Sequence, residues 1–162
     1  MKRSVLFFVS LLMIAPPAMV LAKPDDSHAL QGVEQGKVVF DINMAEPKKM
    51  TLYLDVIRET VDDLVRQGVE PKVILAYRGL SVRLVSKNRD NMELTDFEHL
   101  DKIAQQIADL QSKGVRVEAC SVATRIFNVD NDSLLDGVVP VGNTFVSLTG
   151  YHAQGYASIP IY

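Results

Sequence analysis

Extended and helical segments alternate along this chain in the order β-α-β-(α)-α-β-α-β-α-β, which predicts an α/β fold: a single-domain, three-layer sandwich with a mainly parallel sheet of about five strands. Three observations carry that prediction. Short apolar runs such as Val38-Val39-Phe40 and Val73-Ile74-Leu75-Ala76 read as strands buried on both faces. Two long stretches between them repeat apolar residues at helical spacing and stop at Gly68 and Gly114. Finally, 162 residues, 48% of them hydrophobic, suffice for one core and are too few for two ordinary domains.

The first strand is expected over Lys37 to Asn43, ending in polar residues where a loop opens. Pro47 is suited to the first position of a helix, because its missing N–H would have had no partner there. Met50, Tyr53, Leu54, Ile57, Val61, Leu64 and Val65 form its apolar stripe. Glu70-Pro71 restarts an extended segment, and Val73 to Tyr77 is a second buried strand that ends at Arg78-Gly79. The segment from Leu80 to Val85 fits either alternation or a short helix, with helix preferred after a strand and glycine. Thr95-Asp96-Phe97-Glu98 has the form of a capping box, followed by the stripe Leu100, Ile103, Ala104, Ile107 and Leu110.

Val115 to Cys120 is a third strand, delivering the chain's single cysteine to the start of a short helix over residues 122–127. The cluster Asp130, Asn131, Asp132 and Asp136 lacks the spacing, glycine and closing glutamate of a calcium loop, so turn formation and helix capping explain it better and no metal is expected. Val138 to Val141 is a further extended run, 142–154 a helix of imperfect period, and Gly155 to Pro160 a last strand with Pro160 at an edge or an end.

The opening residues follow a different logic. Lys2 and Arg3 precede the apolar run Val5 to Ile14, and Val20-Leu21-Ala22 resembles a cleavage site, so 1–22 reads as a secretory signal peptide. The rival, an uncleaved anchor, is opposed by Pro16, Pro17 and a run shorter than the roughly 20 residues that span a bilayer. Residues 23–36 are then a flexible lead-in and 37–162 the folded domain, located in the periplasm or secreted, with no membrane attachment after cleavage. Removing Lys2 and Arg3 leaves 15 basic residues against 20 acidic ones, a net −5 that argues against nucleic acid as partner.

Cys120 has no partner within the chain. In an exported protein such a thiol is buried and inert, joined to another chain, or kept for reaction with something brought to it. Its place at a strand end before a helix favours the thiolate through unpaired N–H groups and the helix dipole. Asn43, Glu46 and Arg78 fall at the same sheet edge if the strands are parallel. No His–Cys spacing suggests acyl transfer: His28 lies in the lead-in, His99 falls off its helix stripe, and only His152 is placed to approach. Gly142, Gly150 and Gly155 are too far apart for a dinucleotide loop, and no cofactor is expected.

Taken together and in order, the first strand and helix, Tyr77-Arg78-Gly79-Leu80-Ser81-Val82, Gly114 to Cys120, and Gln154 to Ile159 resemble the DsrE/DsrF-like family of sulfur-relay proteins, especially its exported members. The resemblance spans about Lys37 to Ile159. It implies an α/β sandwich that assembles as a homo-oligomer, a trimer or hexamer, with sulfur carried as a persulfide on the cysteine matching Cys120. Relatives often have His where this chain has Arg78, and a small-polar pair where it has Ser121-Val122. On this reading Cys120 takes sulfane sulfur from a persulfide or polysulfide donor and passes it to an acceptor thiol, the partner being a sulfur donor or acceptor protein or a small persulfide. Arg78 and Arg125 stabilise anionic sulfur, and Asn43 and Ser121 orient it. The competing expectation is a non-catalytic oligomeric assembly or small-ligand-binding module with a structural cysteine.

Overall fold

The computed structural model describes residues 23–90 and 92–162; the expected signal peptide lies outside the described residues. Five strands form one parallel sheet: β1 (Gln35–Ile42), β2 (Glu70–Tyr77), β3 (Arg116–Cys120), β4 (Val139–Val141) and β5 (Ala157–Ile161), in the order β4-β3-β2-β1-β5. Four α-helices join them: α1 (Pro47–Arg66), α2 (Phe97–Ser112), α3 (Ser121–Ile126) and α4 (Thr144–Ala153). A 3-10 helix over Gly79–Val85 resolves the ambiguous segment after β2.

The strand order explains the layering. From β1 to β4 each strand is added on the same side of the previous one, so right-handed crossovers put the intervening helices on one face. The connection from β4 to β5 runs back across the whole sheet and places α4 on the opposite face. Alternate side chains sort accordingly. Val38, Phe40, Ile42, Val73, Leu75, Tyr77, Val117 and Ala119 enter the main core with Met50, Leu54, Ile57, Ile103, Ile107 and Leu110 from α1 and α2. Val39, Ile74 and Ala76 form a much smaller core against Leu148, Tyr151 and Tyr156. The sandwich thus has three layers of very unequal weight.

Two local expectations are corrected. β1 begins at Gln35, inside the stretch assigned to the lead-in, because Gln35 and Gly36 already pair with Glu70 and Pro71. The residues before it lie along α1: Lys23 bonds Glu59 and Asp63, the Asp26 N–H donates to Gln67 Oε1 at 2.5 Å, and Arg66 reaches the Pro24 carbonyl at 3.1 Å. The capping box at Thr95 does not form. Leu94–Asp96 is a 3-10 turn in which the Asp96 N–H already donates to Glu93 O, and Asp96 is helical (φ −89°, ψ −13°) rather than extended as a side-chain cap requires. Asp130, by contrast, accepts from the Asp132 N–H at 3.0 Å, the turn-forming role expected of it.

Candidate functional site

Parallel strands send all their carboxyl ends to one edge of the sheet, and four chain segments meet there around Cys120. β3 ends at the cysteine, and α3 starts at the next residue. Beside β3, β4 ends at Val141, and Gly142-Asn143 turns the chain into α4. Asn143 is extended (φ −153°, ψ 119°), and its side chain accepts from the Phe145 N–H at 2.9 Å, so it caps α4 in the ordinary way. With Phe145 satisfied by the cap, the N–H of Thr144 turns to the sulfur and donates to Cys120 Sγ at 3.4 Å.

Burial by itself would push the Cys120 thiol up. The opposing groups win: the Thr144 N–H foremost, with the Ala123 and Val122 N–H groups, hold the thiol below its ordinary value. The sulfur is therefore held as a better anion than a free cysteine at the same pH. Cys120 is 5% exposed and forms part of the wall of an open cleft of about 220 Å3. Thr144 shares that wall; it is 1% exposed, and its hydroxyl has no hydrogen-bond partner among the described residues.

Arg78 lines the same cleft, as expected, but its charge is committed elsewhere. Nε and Nη2 donate to the two oxygens of Asp41 at 2.6 and 3.0 Å, and the guanidinium lies 5.6 Å from the centre of the Phe145 ring. The hydrogen bonds from Arg78 to Asp41 raise the arginine's pKa further. Asp41 belongs to β1 opposite Ala76, and Arg78 lies two residues beyond Ala76 on the same face, so sheet register creates the pair.

The other predicted site residues are spread out. Asn43 is exposed and sits against Gly79, one of the cleft residues, with its side-chain oxygen where a Cβ on Gly79 would go. Ser121 follows the sulfur in sequence, but its hydroxyl accepts from Asn131 Nδ2 at 3.3 Å. Arg125 is exposed on α3 and is not among the cleft residues, so it is not brought to the sulfur with Arg78. His152 is exposed in the last turn of α4, the opposite end of that helix from Thr144.

Sequence reasoning missed Asp41, Asn143, Thr144 and Phe145. Asn-Thr after Gly142 is an N-cap signature that locates the start of α4. Recognising it as part of the site also requires knowing that β4 lies beside β3, which no local pattern states.

No family model matches the chain, and no curated protein matches it. Among solved structures, the chain is similar to MTH1491, a protein of unknown function from Methanobacterium thermoautotrophicum, with 22% identity and a TM-score of 0.62 over 76% of this chain and 97% of that one. It also aligns with the ychN protein from E. coli at 16% identity and a TM-score of 0.49, over 78% and 99% of the two chains. What the likeness to MTH1491 establishes is a common fold, the α/β sandwich with a parallel five-stranded sheet.

Proposed function

We propose that the protein is a sulfur carrier in which Cys120 receives sulfane sulfur as a persulfide and hands it to an acceptor thiol. One observation carries this reading: the only sulfur nucleophile lies in the wall of a cleft with the N–H of Thr144 directed at it and its thiol pKa lowered. That is the arrangement a reactive cysteine needs, whereas an inert core cysteine in apolar surroundings has its pKa raised. The motif resemblance to DsrE/DsrF-like proteins supports the same chemistry, and the leader-like first 22 residues support action after export. Exposed Ile126, Phe145 and Val146 near the cleft favour packing against a second copy of the chain, in the trimer or hexamer that the resemblance implies.

The test is to expose the protein, produced from Lys23 onward, to inorganic polysulfide and record its intact mass. A sulfur adduct on the wild type, absent from a folded Cys120→Ser variant and discharged by a small thiol, is the expected result. A folded wild type that takes up no sulfur overturns the proposal and leaves Cys120 as a structural residue.

A further inference from the structure

The carrier reading leaves the chemical class of the donor open, and the walls of the cleft address it. Among the described residues, Arg78 is the only one lining the cleft that carries a formal charge, and that charge is answered by Asp41. The two side chains are 19% and 12% exposed, so Arg78 meets the cleft with its charge already paired to a carboxylate that is not itself among the cleft residues. Val122, Ala123, Ile126, Phe127 and Phe145 supply most of the remaining wall. The other polar groups near the sulfur carry no formal charge: the N–H groups of Thr144, Ala123 and Val122 that act on Cys120, the Asn143 side chain that caps α4, and the Thr144 hydroxyl, buried and without a hydrogen-bond partner among the described residues. A donor bearing two or more charges would shed water here and find no free counter-charge. A buried hydroxyl lacking a partner instead suits a single incoming acceptor atom.

Resting on the carrier reading, we infer that the donor is a small hydropersulfide, R–S–SH, whose R group is apolar and uncharged, in preference to thiosulfate or a highly charged peptide persulfide. At about 220 Å3 the cleft lies below the roughly 300 Å3 at which pockets for drug-sized ligands begin, which fits a donor of a few heavy atoms. In the transfer, the Cys120 thiolate attacks the outer sulfur. A new S–S bond forms to Sγ as the R–S bond to that sulfur breaks, and the electron pair leaves on RS⁻. The outer sulfur keeps its proton, giving Cys–S–SH. The Thr144 hydroxyl donates to the departing RS⁻, which takes a proton from solvent. One S–S bond replaces another, with no net oxidation.

The experiment compares three donors on the wild-type protein: benzyl hydropersulfide, glutathione persulfide and thiosulfate. Initial rates of sulfur loading on Cys120 are read by intact mass, each divided by the rate of the same donor with N-acetylcysteine, which removes intrinsic reactivity. The normalised rate for the benzyl donor should exceed the other two by about tenfold, the ratio that roughly 1.4 kcal/mol of unfavourable desolvation produces. Equal normalised rates, or faster loading by thiosulfate, overturn the inference while leaving the carrier reading intact. Loading by none of the three overturns both. Asp41→Asn gives an independent arm: it frees the charge of Arg78 and should raise the normalised thiosulfate rate several-fold relative to benzyl. No change in that ratio in a folded variant counts against the neutral-pair argument. If the variant does not fold, the wild-type comparison decides alone.

Discussion

Proline at position 144 would delete the N–H that faces Cys120 while leaving the helix a residue it accepts. Thr144 is the first residue of α4, where proline is favoured, and Asn143 is already extended as a residue before proline must be. Thr144→Pro should therefore keep its circular dichroism and move the thiol pKa upward, slowing alkylation by iodoacetamide near neutral pH roughly tenfold. That is the effect of losing one hydrogen bond to a charged atom, about 1.5 kcal/mol. An unchanged alkylation rate would remove Thr144 from the account of the site. The same lowered pKa has a stability consequence. Between the folded value and the unfolded value near 8.5, the unfolded thiol holds a proton that the folded one has lost, so stability rises with pH across that interval. The gain is fully present above the unfolded value and is lost as pH falls through the folded one. Denaturation midpoints of wild type and Cys120→Ser, compared across that range, should diverge as pH rises. At this scale the sequence disclosed the cleft's cysteine and Arg78 but hid the partner that neutralises the arginine, because Asp41 looks like an interruption in an apolar run until register brings it to Arg78.

Among the elements, the turn from β2 into the 3-10 helix is the most tightly specified. Gly79 has φ +59°, and a Cβ there would collide with the Asn43 side chain. Ser81, fully buried, ties the start of the 3-10 helix to both neighbouring strand ends, donating to Ile42 O or Arg78 O at 2.9 and 2.8 Å. Gly79→Ala should cost about 1–2 kcal/mol for the left-handed backbone alone, measured by chemical denaturation, and should also disturb Arg78 and hence sulfur loading. A variant as stable as the wild type would contradict this view of the turn. Helices α1 and α2 were legible because each buries a regular stripe and ends before a left-handed glycine, Gly68 or Gly114. The capping box misled because a 3-10 turn precedes α2, with the Asp96 and Phe97 N–H groups donating to the backbone carbonyls of Glu93 and Leu94. α4 showed poor periodicity for a physical reason: it buries little, with Phe145 and Val146 more than half exposed.

At the level of the whole molecule, the imbalance between the two faces is the controlling property. Among the described residues, one side of the sheet is covered by α1, α2, α3 and the 3-10 helix and the other by the ten residues of α4. Besides the Thr144 N–H to Cys120, a buried polar contact helps to hold that helix down. The Tyr151 hydroxyl donates to Glu118 Oε1 at 2.6 Å, Arg116 Nε donates to the same oxygen at 2.5 Å, and Glu118 is 2% exposed with its second oxygen unpartnered. Burial, followed by the bond to Glu118, pushes the Tyr151 phenol up to about 12. Its contribution to stability is therefore complete below pH 10 or so and is lost as pH rises through about 12. Amide exchange should be faster in α4 and β5 than in β1, β2 and β3, and Tyr151→Phe should accelerate it further in α4 while slowing sulfur loading at Cys120. Uniform protection across the five strands and α4 would show that the thin layer is no weaker than the thick one. The alternation of strands and helices announced the sandwich, but nothing local announces that the last crossover spans the sheet, so the order β4-β3-β2-β1-β5 is set by long-range packing that no sequence pattern states.

Thr144 follows Cys120 by 24 positions and belongs to the crossover that closes the fold. A nascent or truncated chain ending at Gly142 would contain the cysteine and the strand that bears it, yet its sulfur would lack the donor that makes it acidic. The surroundings that lower the thiol pKa are thus completed late, once the final crossover has been made and has folded back beside β3.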